Sequence, residues 1–249
     1  MALLEKDVVV TTKYGQMPSF AACPDQPGNF PGIIFYMDAP GIREELRNMC
    51  RRIAKMGYFV LLPDLFYRLG TIRLDVPRRD DHMANVFRAA MNSLTNQMVS
   101  LDDTGGMIQW LDGQDKCAPG PIGCVGYCMS GRLITTAAAM YPTRMAAAAS
   151  LYGVGIVTDK EDSPHLLLDR VKGELYYGFA ETDQTVPDNV IPDLKAALKK
   201  TGTRATVEVF KGTHHGFAFG ERAVYHPVAA EESWERIFAL WDRNVKRPG

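Results

Sequence analysis

Four residues in this chain have the type and setting for nucleophilic chemistry: Cys128, Asp183, His214 and His215. Cys128 lies in 123-GCVGYCMSGR-132, directly after an apolar run, with Gly126 two residues before it and Ser130 two residues after. That is the spacing of a nucleophile elbow, a strand-to-helix turn so tight that only small side chains fit at those two places. A helix starting near Met129 and running through 132-RLITTAAAM-140 would stabilise a thiolate at its N-terminus. It would also place the Met129 N–H where an oxyanion needs a donor. The turn by itself suits a buried core thiol equally well, because free cysteine is among the most buried residue types. Ser130 is a rival nucleophile. Its own neighbours two residues away are Cys128 and Arg132, neither of which fits an elbow.

A thiol nucleophile needs a base, and the best candidates stand in 212-GTHHGFAFG-220. This glycine-flanked loop follows a strand candidate, so a side chain there can swing over a sheet edge. His214 and His215 compete, and spacing does not separate them. A carboxylate must then hold the imidazole in one tautomer and stabilise its cation. Asp183, in 180-AETDQTVP-187, follows another strand candidate. Glu181 is its rival, while Asp159 and Asp162 lie well past the end of the nearest strand. The order nucleophile, acid, histidine is that of the α/β-hydrolase fold. Three placements that agree on it make Cys128 the nucleophile. The second oxyanion donor of that fold comes from the loop after an earlier strand, and in 33-IIFYMDAPG-41 the Ala39 N–H qualifies. Asp38 beside it either presents an acid to the same region, caps the next helix or pairs with Arg43.

The elements that must position these residues can be read from hydrophobic period. Strand candidates are 7-DVVVTT-12, 32-GIIFYM-37, 58-YFVLLP-63, 121-PIGCVG-126, 146-AAAASLYG-153, 173-GELYYGF-179 and 204-RATVEVF-210. Between them, Leu46, Met49, Cys50 and Ile53 recur at helical spacing. So do Val190, Ile191, Leu194 and Leu198, and Ala230, Trp234, Ile237, Phe238 and Trp241. Strands alternating with helices predict an α/β fold with a mainly parallel central sheet and helices on both faces. Each favoured residue falls just after a strand, where open α/β sheets bind ligands. Residues 69–105 contain no clear strand and are expected to form a loop and one helix ending near Gly113, placed to overhang a site. Residues 1–249 carry no linker and no internal repeat, so one domain is expected.

Composition sets the class of partner. The chain has 249 residues, 46% hydrophobic and 23% charged, with a net charge of −1. Such a balance argues against nucleic acid or an anionic membrane and for a small-molecule ligand. Five cysteines without a paired framework point to a reduced compartment, and Glu5, Lys6 and Asp7 interrupt any secretory apolar stretch. A cytoplasmic protein is expected. There is no C-x-x-C pair and no His-ligand spacing, so no metal is expected. No signal speaks to oligomeric state.

Taken together, these residues resemble the dienelactone hydrolase family (carboxymethylenebutenolidases) of the α/β-hydrolase fold. The likeness runs from 31-PGIIFYMDAPGIRE-44 through 57-GYFVLLPDLFYR-68, 123-GCVGYCMSG-131, 150-SLYGVG-155 and 180-AETDQTVP-187. It continues in 213-THHGFAFGERAVYH-226 and 229-AAEESWERIFALW-241. The resemblance implies a triad of Cys128, His215 and Asp183. His215 is chosen because the family histidine precedes G-F. It also implies hydrolysis of a lactone or activated ester through a thioester, with no cofactor. Tyr152, at a strand end where the family has a tyrosine, is a candidate substrate contact, as are Arg68 and Arg222. There are departures. Asp38 stands where the family has glutamate, and Ser130 where a second glycine is usual. Phe217, Ala218 and Phe219 stand where an arginine would hold a substrate carboxylate, which argues against dienelactone itself as substrate. The rival readings are a catalytically silent small-molecule binding protein on the same scaffold and a serine-type carboxylesterase acting through Ser130.

Overall fold

The computed structural model describes residues 1–72 and 81–246. Residues 73–80, part of the loop expected over a site, lie outside the described residues. The chain divides into two compact units, Met1–Pro119 and Gly120–Gly249.

The first unit holds β1 (Leu3–Thr12), β2 (Gly15–Pro24), β3 (Phe30–Tyr36) and β4 (Phe59–Pro63), in the spatial order β1-β2-β4-β3. β1 and β2 form an antiparallel hairpin in register from Leu3 opposite Pro24 to Thr12 opposite Gly15. β2 then pairs antiparallel with β4, and β3 pairs parallel with β4. A parallel pair needs a crossover, and α1 (Glu44–Lys55) supplies it. Its Leu46, Met49, Cys50 and Ile53 are buried as the period requires. Each of the larger ones contributes about 1.5–3 kcal/mol by leaving water. Glu44 and Glu45 in the first turn and Arg52 and Lys55 in the last complement the helix dipole.

β2 had no counterpart among the strand candidates. Pro18 falls inside it, and its buried stretch, residues 19–24 (SFAACP), holds no Val, Ile or Thr, so the β-branched signature is missing. The single helix expected before Gly113 is two, α2 (Asp81–Asn92) and α3 (Thr104–Asp112), the latter preceded by a π-helical turn at Met98–Asp103. The break has a local cause. Ser93 Oγ turns back to the Ala90 carbonyl (2.7 Å), and Thr95 Oγ1 accepts the Met98 N–H (3.1 Å), capping a new helical start.

The second unit holds most of β5 (Cys117–Tyr127), with β6 (Met145–Leu151), β7 (Glu174–Thr182) and β8 (Ala205–His214). They are parallel and in chain order. α4 (Gly131–Met140), α5 (Val190–Thr201) and α6 (Pro227–Trp241) connect or cover them. β6 and β7 are buried almost throughout, as strands covered on both faces must be. The stripe Ala230, Trp234, Ile237, Phe238 and Trp241 is the buried face of α6. That helix opens with Pro227 at its first turn, and the His226 ring accepts the Ala229 N–H (3.2 Å) as its cap. No helix among the described residues is long and apolar enough to cross a membrane.

Candidate active site

Cys128, Asp183 and His215 follow the carboxyl ends of β5, β7 and β8 respectively, or stand at them. Cys128 occupies a backbone conformation with φ 53°, left-handed and costly for a side-chain-bearing residue. Cys128, Met129 and Ser130 make one 3-10 turn that runs into α4. The turn closes because its neighbours lack bulk. A Cβ on Gly126 would stand 2.7 Å from Ile134 Cγ2 and 2.9 Å from Ser130 Cβ, and one on Gly131 would stand 2.3 Å from Gly153 Cα. The conformation therefore holds Cys128 up at the mouth of the helix. It is partly exposed while Cys23, Cys50, Cys117 and Cys124 are buried. Met129 and Ser130 are buried at the start of the helix, Ser130 completely, which leaves no accessible hydroxyl at the elbow.

The histidine loop separates the two candidates that spacing left level. His214, the last residue of β8, is exposed. His215 turns inward, and its Nδ1 donates to Asp183 Oδ2 at 2.7 Å. The carboxylates separate in the same way. Glu181 is held by Lys211 Nζ (2.7 Å) and the Gly212 N–H (2.8 Å), away from the ring. Asp183, its carboxylate only 4% exposed, meets His215. Its second oxygen, Oδ1, accepts from both the main-chain N–H of Thr185 (2.9 Å) and the Thr185 hydroxyl (2.6 Å). That hydroxyl also lies 3.1 Å from His215 Nδ1. Nothing in residue type or period singles out Thr185. The only sign of it is a hydroxyl residue two places after an aspartate, where side chains close turns of this kind.

Electrostatics bind these groups together. Burial works to strip the proton from the His215 ring, but hydrogen bonds and charge from Asp183 and Cys128 outweigh it and raise the imidazole pKa to about 10. With Nδ1 committed to Asp183, Nε2 is the nitrogen left to face the sulfur. Burial likewise opposes the Asp183 charge, yet the bonds from His215 and Thr185 hold its carboxyl below the ordinary carboxylate value. The Tyr152 ring meets the His215 ring edge-on with centroids 5.1 Å apart and also packs on Tyr127, Phe217 and Phe219. Tyr152 is fully buried and, like Cys128, has positive φ (38°). Its ring backs the imidazole plane from within an aromatic cluster.

The remaining expected residues have definite settings. Arg222, on the loop after His215, has its stem beside Gly216 and its guanidinium over the Phe219 ring at 5.9 Å. In the first unit, Asp38 is buried and gripped by Arg43 through two bonds, 2.6 and 3.1 Å, which is the pairing reading rather than the capping one. Ala39 follows in the same buried loop. Arg68 donates to the buried Asp103 at 2.6 Å and lies between the rings of Tyr14 and Tyr67. Among the described residues no group of three or more His, Cys, Asp or Glu side chains is placed to hold a metal ion.

Parallel strands whose carboxyl ends carry an elbow, an acid loop and a histidine loop in that chain order define an α/β hydrolase. Within that class the chain belongs to the dienelactone hydrolase family, whose model matches residues 17–244. It is thus a hydrolase acting on esters or lactones. Two relatives carry the description "Putative carboxymethylenebutenolidase". One, from Synechocystis sp., is 25% identical over 245 residues, covering 96% of each chain. The other, from Escherichia coli (strain K12), is 26% identical over 228 residues, covering 89% of this chain and 80% of that one. A crystal structure described as "Putative Dienelactone Hydrolase from Klebsiella pneumoniae subsp. pneumoniae MGH 78578" superposes with a TM-score of 0.87. It is 22% identical and covers 98% of this chain and 100% of that one, a likeness of fold.

Proposed function

We propose that this hydrolase cleaves a lactone or activated ester with Cys128 as nucleophile, His215 as acid and base, and Asp183 as the group that orients and charges the ring. One observation carries the reading: a strained, partly exposed cysteine on an elbow interacts with an imidazole whose Nδ1 lies 2.7 Å from a carboxylate. The Cys128 thiolate attacks the carbonyl carbon, and the oxyanion is met by the Met129 N–H. The Ala39 N–H, on the loop after β3, is the second donor expected for this fold. As the carbon–oxygen bond to the leaving group breaks, the His215 imidazolium gives that oxygen its proton, leaving a thioester.

The second half follows from the charges. Forming the thioester removes the Cys128 charge and hydrogen bond that helped raise the His215 pKa, so the ring becomes a base suited to neutral pH. It takes a proton from water as the hydroxide oxygen bonds to the acyl carbon. The carbon–sulfur bond then breaks, the acid departs, and thiolate and imidazolium are restored. A thiolate leaves readily, which favours lactones and activated esters over amides.

The substrate is a small molecule. Arg222 is the proposed contact for its polar end, and Tyr152 acts through the His215 ring. A nucleophilic thiol must stay reduced, which supports a cytoplasmic setting. The test is hydrolysis of a p-nitrophenyl acetate panel and of dienelactone by wild type and Cys128→Ala. The variant should lose at least about a thousandfold in rate, and equal rates from both proteins would remove Cys128 as nucleophile.

A further inference from the structure

We propose that Thr185 is a positioning residue of this site: its hydroxyl and its main-chain N–H together grip one oxygen of Asp183 and so turn the other toward His215. The proposal rests on the reading of Cys128, His215 and Asp183 as the reacting set, and it adds a residue to which that reading gives no role. Asp183 Oδ1 receives two bonds from Thr185, 2.9 Å from the nitrogen and 2.6 Å from Oγ1, and Oδ2 lies 2.7 Å from His215 Nδ1. The hydroxyl has one proton. It is given to Asp183 along the shorter path, and the oxygen lone pair then faces the Nδ1–H at 3.1 Å as a second, weaker acceptor. Three residues thus form a closed ring around a single imidazole proton. Thr185 itself is exposed, so its hydroxyl buries nothing and packs no core. What it does is hold the carboxylate in one rotamer.

A carboxylate on a loop has two nearly equivalent oxygens and a broad terminal torsion. With only the main-chain bond remaining, Asp183 can rock, and the Nδ1 bond lengthens in part of the population. Two charge consequences follow. Asp183 loses a bond that keeps its pKa low, so it takes up a proton at higher pH. His215 loses part of the support that keeps its proton, so it lets go at lower pH. The groups that bear on His215 are Asp183 from the loop after β7 and Cys128 from the elbow, with the Tyr152 ring packed at 5.1 Å. Of these only Asp183 is touched by Thr185. The range of pH over which the site is charged in the working arrangement therefore narrows from both sides when the hydroxyl is removed.

The experiment compares wild type, Thr185→Val and Thr185→Ser. Valine keeps the shape and the main-chain bond and deletes only the hydroxyl, whereas serine keeps the hydroxyl. The ester-hydrolysis rate is measured across pH, with melting temperatures taken alongside. The valine variant should lose roughly tenfold in kcat, the worth of one charge-assisted hydrogen bond. Its KM should be unchanged, its acidic limb moved up and its alkaline limb moved down, and serine should restore all three. A wild-type profile in the valine variant overturns the proposal. So does an equal loss at every pH with unmoved limbs, which would mean that Thr185 only stabilises the loop. Should wild type hydrolyse nothing, the proposed reaction fails and the positioning claim is judged separately. The His215 imidazole is titrated by NMR in all three proteins, and an unchanged titration in the valine variant overturns it.

Discussion

At the scale of the residue, His215 is where opposed effects are most sharply balanced. Burial disfavours its charge, while Asp183 and Cys128 together overcome that cost and raise its pKa to about 10. Because two of the supporting causes come from Cys128, blocking it should remove them. After carboxamidomethylation of Cys128 with iodoacetamide, NMR titration of His215 should show a pKa well below that of the unmodified protein. An unchanged value would mean that the sulfur does not act on the ring. The elbow cysteine was legible from spacing because the chemistry demands small residues on either side of it. The choice between His214 and His215 was not legible from the residues alone. Adjacent positions on one loop differ only in which way the backbone turns, and the turn after β8 sends one outward and the other onto Asp183. The preference for Asp183 over Glu181 is likewise set by a partner distant in sequence, Lys211. Thr185 escapes the pattern because it works through a carboxylate and carries no motif of its own.

At the scale of the element, the elbow depends on close approach between backbones. An alanine at position 131 would press its Cβ against Gly153 Cα at 2.3 Å, and main chain cannot move aside as a side-chain tip can. Gly131→Ala should cost about 1–3 kcal/mol of stability or more, lowering the melting temperature by several degrees on the scale of about 2–4 °C per kcal/mol. Gly113→Ala, whose Cβ would meet its nearest atom at 3.5 Å, is the comparison and should melt near wild type. Equal melting of the two variants would show that the approach at the elbow is not tight. Seven strands and the main helical stripes were readable because strand and helix periods differ, and burial enforces each. β2 was not, since proline and small residues hide a strand whose pairing is settled by its neighbours β1 and β4. The division of the helix before Gly113 escaped for a similar reason. Ser93 and Thr95 act as stop and cap, which period does not record.

At the scale of the whole molecule, site chemistry and stability are linked through the same charges. The His215 pKa is raised from its ordinary 6.5 to about 10 in the folded protein. Its contribution to stability is thus complete below about pH 6.5 and disappears as pH rises through about 10. Asp183 is depressed from its ordinary 3.8, so its contribution is present above that value and is lost as pH falls through the lower, folded one. The difference in melting temperature between wild type and His215→Gln should therefore be largest between about pH 5 and 6.5 and vanish above pH 10. A difference that grows with pH would have the wrong sign. Family membership defines the reaction class here, and the Tyr152 ring, itself packed on Tyr127, Phe217 and Phe219, backs the imidazole.

The central claim is that the acyl group passes through Cys128. Mass spectrometry of protein quenched in acid during turnover of p-nitrophenyl acetate, followed by proteolysis, tests it most directly. One acetyl group is expected on the peptide containing Cys128, removable by hydroxylamine and absent in Cys128→Ala. An acetyl group on Ser130, or turnover with no adduct on Cys128 even when hydrolysis of the thioester is slowed by His215→Gln, would contradict it.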